Sequence, residues 1–265
     1  MDDMGTYLYA VALEQDSAPL EDMTGIVGGP VRTISQAGLT AYVSAVPLTQ
    51  FGEEPVRQSL EDLDWLGETA RAHHRVVEAV AAKAPTAPVR LVTVYRDEAQ
   101  IRDLLEQRHD AFVEVLSRLA GRREWGVKVY AVPPVASPAE EPAGDAAPSS
   151  PGTAYLKKRQ ASLRTREESW RQAAARAERI HDVLASAAVA SHRHRAQDPQ
   201  LSGRDERMVL NGAYLVDEAR AREFGQVVEG LRGEGIDVEL TGPWAPYSFT
   251  TPVEPVESEA RDDTP

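Results

Sequence analysis

Residues 6–13, TYLYAVAL, are apolar at nearly every position. Successive side chains of a strand point to opposite faces, so a strand apolar at both parities must be covered on both. This predicts a sheet with the segment near its centre and other layers packed against it. VRTIS at 31–35 and LTAYVSAV at 39–46 read as a neighbouring hairpin turned at Gln36-Ala37-Gly38, glycine supplying a positive φ.

The apolar period then changes. Leu63, Leu66, Ala70, His73, Val77, Val80 and Ala84 recur at alternating spacings of three and four, which predicts an amphipathic helix, with Ser59 and Asp62 as a capping pair. Pro85 and Pro88 end it, and VRLVTVY at 89–95 reads as a strand. Asp97 caps a second predicted helix carrying Ile101, Leu105, Arg108, Phe112, Val115 and Leu119 on one side. EWGVKVYAV at 124–132 is again strand-like. The Pro/Ala/Ser/Glu-rich stretch 133–152 shows no apolar period and reads as a flexible linker or insertion.

Beyond it, Leu156, Leu163, Trp170, Ala177 and Leu184 recur every seven residues, flanked by Ala173 and Ile180. This long helix suits either a coiled coil or packing on a sheet. The second reading is preferred because strand-like segments follow near 188–195, at 207–216 and at 235–242, with a helix at 217–232 between the last two. The expected fold class is therefore α+β in two domains. Residues 1–122 form an N-terminal α+β domain. Residues 123–250 form a C-terminal domain ordered strand, long helix, strand, strand, helix, strand. That order is the split βαβ of a ferredoxin-like domain, provided 133–152 is an insertion after its first strand. Residues 251–265 are expected to be a disordered acidic tail.

Composition narrows the function. There is no cysteine, which removes disulfides, thiolate metal sites and cysteine nucleophiles. The acidic start MDDMGTYLYAV lacks a secretory signal pattern, no run is long enough to span a bilayer, and a cytoplasmic location is expected. The net charge of −13 opposes general nucleic-acid binding. Charge is uneven, however: residues 153–207 hold 12 basic and 7 acidic side chains, and 253–265 hold five acids against one arginine.

No catalytic constellation emerges. Gly28-Gly29-Pro30 precedes a strand and reads as a turn, not a phosphate loop. His192 and His194 on one strand face could in principle join a metal site, but with no acid cluster or cysteine nearby they read as solvated side chains. No catalytic, cofactor-binding or metal-binding residue is assigned. Three features exceed the needs of folding. Lys157, Lys158 and Arg159 put cations at a helix start, where the macrodipole disfavours them. Asn211-Gly212 inside a strand implies a bulge or a close backbone approach. Trp244, Tyr247 and Phe249 crowd three aromatics into a proline-rigid segment, which either packs back onto its domain or anchors a partner.

With these blocks in view the sequence resembles the gas vesicle protein F/L family. YLYAV at 7–11, LEDLDWLGETARAHHRVVEAV at 60–80, EWGVKVYA at 124–131, YLKKR at 155–159, LNGAYLV at 210–216 and LTGPWAPYSF at 240–249 fall in the family's order. The chain departs from it at Leu91-Val92, where an aromatic residue followed by glycine is usual, and at Ala245, where a second proline is usual. The resemblance implies two α+β domains, the second a modified ferredoxin-like fold. It also implies an accessory protein of gas vesicle assembly that binds the hydrophobic shell protein and other gas vesicle proteins, with no cofactor and no enzymatic activity. The candidate partner-binding residues are Lys157, Lys158, Arg159, Trp244, Tyr247 and Phe249. Two other classes compete with it: a small-molecule enzyme with a site between the domains, and a nucleic-acid binder using the arginine-rich helix.

Overall fold

The structure, a computed structural model, describes residues 3–18, 20, 22–132, 151–197, 204 and 206–250. It is a mixed α and β protein whose chain divides into two compact units, Met1–Glu124 with Trp244–Pro265, and Trp125–Pro243.

The first unit is built around β1 (Met4–Leu13), flanked on one side by β3 (Leu39–Pro47) and on the other by two short pieces, β4 (Ala87–Pro88) and β5 (Val94–Tyr95). β2 (Arg32–Gln36) lies outside β3. The central position expected of 6–13 holds: Tyr7 through Ala12 have no exposed surface. The β2–β3 hairpin pairs Gln36 with Leu39, leaving a two-residue loop in which both Ala37 and Gly38 have positive φ. β1 shifts register between Leu8 and Ala10, a bulge around Tyr9.

Two short helices, α1 (Leu48–Phe51) and α2 (Glu53–Ser59), lead to α3 (Leu63–Ala81). The cap is Asp62, whose side chain accepts from the Asp64 and Trp65 amides; Ser59 instead ends α2. Thr69, Ala72, His73, Val76, Val77 and Val80 are the buried residues of α3, and the apolar ones meet Tyr7, Tyr9 and Ala12 of β1. This differs from the expected stripe, since Leu63 is 79% exposed and Leu66 and Ala70 are only half-buried. The spacing of three and four repeats every seven residues, and a straight helix drifts about 20° per heptad against such a repeat. Positions aligned with the sheet at Val77 and Val80 have therefore rotated off it by Leu63.

Residues 89–95 are not the continuous strand expected. They break between β4 and β5 at a turn in which Val92 takes φ +61. A β-branched residue in the left-handed region is strained. The strain is held in place because the Tyr7 hydroxyl accepts from the Val92 amide at 2.9 Å. The Tyr9 hydroxyl likewise accepts from the Ile26 amide at 2.8 Å, and Tyr42 exchanges hydrogen bonds with both backbone groups of Ala18. Buried tyrosines of the sheet thus fix three loops. The predicted second helix is two, α4 (Glu98–Gln107), capped by Asp97 as expected, and α5 (His109–Leu119), broken at Arg108.

The second unit has a four-stranded sheet ordered β7-β8-β6-β9, with β6 Arg122–Ala131, β7 Ala190–Arg193, β8 Arg207–Asp217 and β9 Ile236–Trp244. Helix α6 (Pro151–Ala187) packs on this sheet through Ala173, Ala177, Ile180 and Leu184, beside α7 (Ala221–Gly230) with Phe224 and Val228. Arg176 of α6 donates to the carbonyls of Leu231, Arg232 and Glu234, satisfying acceptors left open past the end of α7. Packing on a sheet is thus the role of the later half of α6, whereas Leu163 is 56% exposed. Gly212 makes the close approach expected inside its strand, because a Cβ there would sit 2.7 Å from the Tyr214 hydroxyl. Residues 133–150 and 251–265 lie outside the described residues, as does the expectation of disorder attached to them; Pro151 and Gly152 open α6.

Candidate partner-binding surface

The aromatic segment turns out to belong to the first unit. The sequence groups 244–250 with the second domain, but the chain leaving β9 lies on α3 and is fastened there by polar side chains. Glu78 of α3 accepts the Ala245 amide at 2.6 Å through one carboxylate oxygen and Arg123 at 2.6 Å through the other. Glu124 accepts both the amide and the hydroxyl of Ser248, at 2.8 and 2.7 Å. Arg118 donates to the Phe249 carbonyl at 2.8 Å. Charged partners make these hydrogen bonds stronger than neutral ones, and burial raises the cost of losing either member. The Ala245 bond also gives a use for the departure at that position, because proline has no amide proton to donate.

The three aromatics of this strap differ in exposure. Phe249 is 9% exposed and Tyr247 is half-buried, its ring 6.0 Å from that of His73. Burial, with the Glu78 and Glu124 carboxylates nearby, pushes the Tyr247 hydroxyl pKa up. Trp244 remains 41% exposed and meets the His74 ring edge-on at 5.3 Å.

Beneath the strap, His73 is buried. The Tyr7 hydroxyl, which accepts from the Val92 amide, is hydrogen-bonded to His73 Nδ1 at 3.0 Å. Burial pushes the His73 pKa down from 6.5 to about 4, with the Val89 backbone opposing and His74 reinforcing the shift. His73, a member of the expected apolar stripe of α3, is thus a buried, hydrogen-bonded histidine.

The basic candidates lie elsewhere. The structure starts α6 at Pro151, so Lys157, Lys158 and Arg159 lie in its second and third turns and not, as expected, in its first; Arg159 is exposed, while the side chains of Lys157 and Lys158 lie outside the described residues. The packed part of α6 begins near Trp170, whose ring lies 4.4 Å beneath the Arg207 guanidinium. The sequence missed Glu78, Glu124 and Arg118 as anchors. They are ordinary helix and strand acids and bases, and only their meeting with residues more than a hundred positions away gives them a role.

The first unit carries an open pocket of about 570 Å3 lined by Ala37, Glu106, Arg108, His109 and Asp110. A pocket lined by Pro88, Arg108, Phe112, Val115 and Thr250 holds about 10 Å3, roughly one water. Among the described residues no three His, Asp or Glu side chains gather to hold a metal, and no helix is long and apolar enough to cross a membrane.

Comparison with known proteins gives this surface its context. The chain is 46% identical over 243 residues to gas vesicle protein L of a Streptomyces species, covering 92% of this chain and 91% of that protein. It is 24% identical over 257 residues to gas vesicle protein F of the same strain, covering 93% and 99%. The fold matches the crystal structure of gas vesicle protein GvpF from an Anabaena species with a TM-score of 0.63 at 20% identity, over 95% of this chain and 98% of that one. The model of the family described as gas vesicle synthesis protein GvpL/GvpF matches residues 5–251, and the chain belongs to that family.

Proposed function

We propose that this chain is an L-type accessory protein that binds the hydrophobic shell protein and other gas vesicle proteins during assembly, without catalysing a reaction. Involvement in gas vesicle formation follows from the family. The observation that carries the L-type reading is the gap between 46% and 24% identity to the L and F proteins of one strain. The strand order β7-β8-β6-β9, with α6 and α7 in the second unit, supports reading that unit as a ferredoxin-like domain. A location in the cytoplasm and at the vesicle follows from the same reading.

The surface that fits an apolar partner is on the first unit. Leu63, Leu66, Ala70 and His74 follow one another at helical spacing along α3, exposed or half-buried, and Trp244 stands against His74 at the end of the row. A shell subunit with a gas-facing apolar surface would aggregate if left uncovered, and such a row could shield it. The start of α6 supplies a second, basic element on the other unit, suited to an acidic partner.

Co-purification tests this reading. The wild-type chain is expected to retain the shell protein. Trp244→Ala, at a partly exposed site, is expected to stay folded and retain much less of it, as is Leu63→Glu. A deletion strain that makes normal vesicles, or retention unchanged in both variants, overturns it. The enzyme and nucleic-acid alternatives would be favoured by turnover of a small molecule or by retention on nucleic acid at low salt.

A further inference from the structure

The tripeptide His192-Arg193-His194 lies at the edge of the second sheet, where the function proposed above gives it no role. Among the described residues β7 pairs only with β8, so no further described strand lies on its outer side. Arg193 is held toward α6 by a two-pronged ion pair with Glu178, 2.7 Å at each prong. Alternation along the strand therefore places His192 and His194 together on the opposite face. Both are exposed, and their rings approach to 4.7 Å between centroids at an interplanar angle of 66°. The residues paired with this stretch are small: Ala213 lies opposite His192 and Gly212 opposite Arg193.

We propose that His192 and His194 form a two-histidine site for one divalent late transition-metal ion. Neutral imidazole is the ligand these ions select, and a metal–nitrogen bond of about 2.0–2.1 Å suits bridging between rings this close after side-chain rotation alone. Locking Arg193 onto the far face keeps its positive charge from pointing at the ion. Two protein ligands leave the remaining positions to water. Affinity should follow the usual order for nitrogen sites, with Cu2+ bound more tightly than Ni2+ or Zn2+.

The test uses the full chain without an affinity tag, titrated with Cu2+ by calorimetry and followed by electron paramagnetic resonance. One Cu2+ per chain with nitrogen coordination is expected. His192→Ala and His194→Ala should each weaken binding at least about tenfold, given that losing even an outer-shell partner costs that much at metal sites. His109→Ala, on an exposed histidine of α5, should leave binding unchanged. Both sites are on the surface, and melting without metal should match wild type in every variant. Absence of saturable binding at one ion per chain, or equal binding by the His192→Ala/His194→Ala double variant, overturns the proposal.

Discussion

The aromatic strap and the start of α6 have the same standing in the sequence, each a local oddity that plain folding does not require. In the structure they are opposites. The strap is fixed to α3 and its neighbours by two carboxylates and an arginine, and Phe249 and Ala245 lie in the interior. The described side chains at the start of α6, Arg159, Gln160 and Leu163, stand in solvent. Segments that bury apolar surface and satisfy buried charge contribute to stability first, whereas an exposed helical turn is free to serve a partner. Only Trp244 takes part in both, because the strap turns it partly outward.

The contrast is sharpest at Phe249. Phe249→Ala is expected to destabilise the chain by about 3 kcal/mol, as large-to-small core changes do, read from the denaturation midpoint. A loss under about 1 kcal/mol would mean that the strap is a surface element after all. Acid should act on the same region through His73. Its folded pKa of about 4 lies below its ordinary 6.5, so the unfolded chain binds the extra proton between those values. The stability this contributes is complete above pH 6.5 and drains as pH falls toward 4, by up to about 3 kcal/mol. His73→Phe should flatten the pH–stability curve in that window, and an unchanged slope would put the titration elsewhere.

A smaller loss, about 2 kcal/mol, is expected for Glu78→Ala, which leaves Arg123 and the Ala245 amide without their shared acceptor. Calorimetric melts of the variant and of wild type measure it. Arg159→Glu sits at the other end of the scale, with a stability change within about 0.5 kcal/mol as for most surface sites. Its effect should fall on binding to an acidic partner and fade at high salt, because exposed charges are screened. Destabilisation comparable to that of Glu78→Ala would erase the distinction between the two regions.

Much of the fold was legible because it depends on local rules. The apolar run 6–13 required cover on both faces, the Ala37-Gly38 loop set the hairpin, and the heptad ending at Leu184 packs where its apolar residues are dense. The unreadable parts depend on competition between local preference and tertiary partners. Val92 favours an extended backbone, yet Tyr7 holds it in a turn. Leu63 and Leu66 continue an apolar repeat, yet helical drift carries them off the sheet. Arg108 continues the pattern of a single helix, yet its backbone interrupts it.

The sequence by itself determined family membership, the central strand, the alternation of strands with helices and the absence of cysteine chemistry, since all of these are written in residue type and period. Tertiary structure alone decided that Trp244 through Thr250 complete the first unit and that Glu78 and Glu124 are their anchors. It also decided that Arg193 turns away from two adjacent imidazoles. Hydrogen bonds and ion pairs between residues far apart in the chain leave no periodic trace, because one short polar contact fixes them and nothing in the intervening sequence repeats.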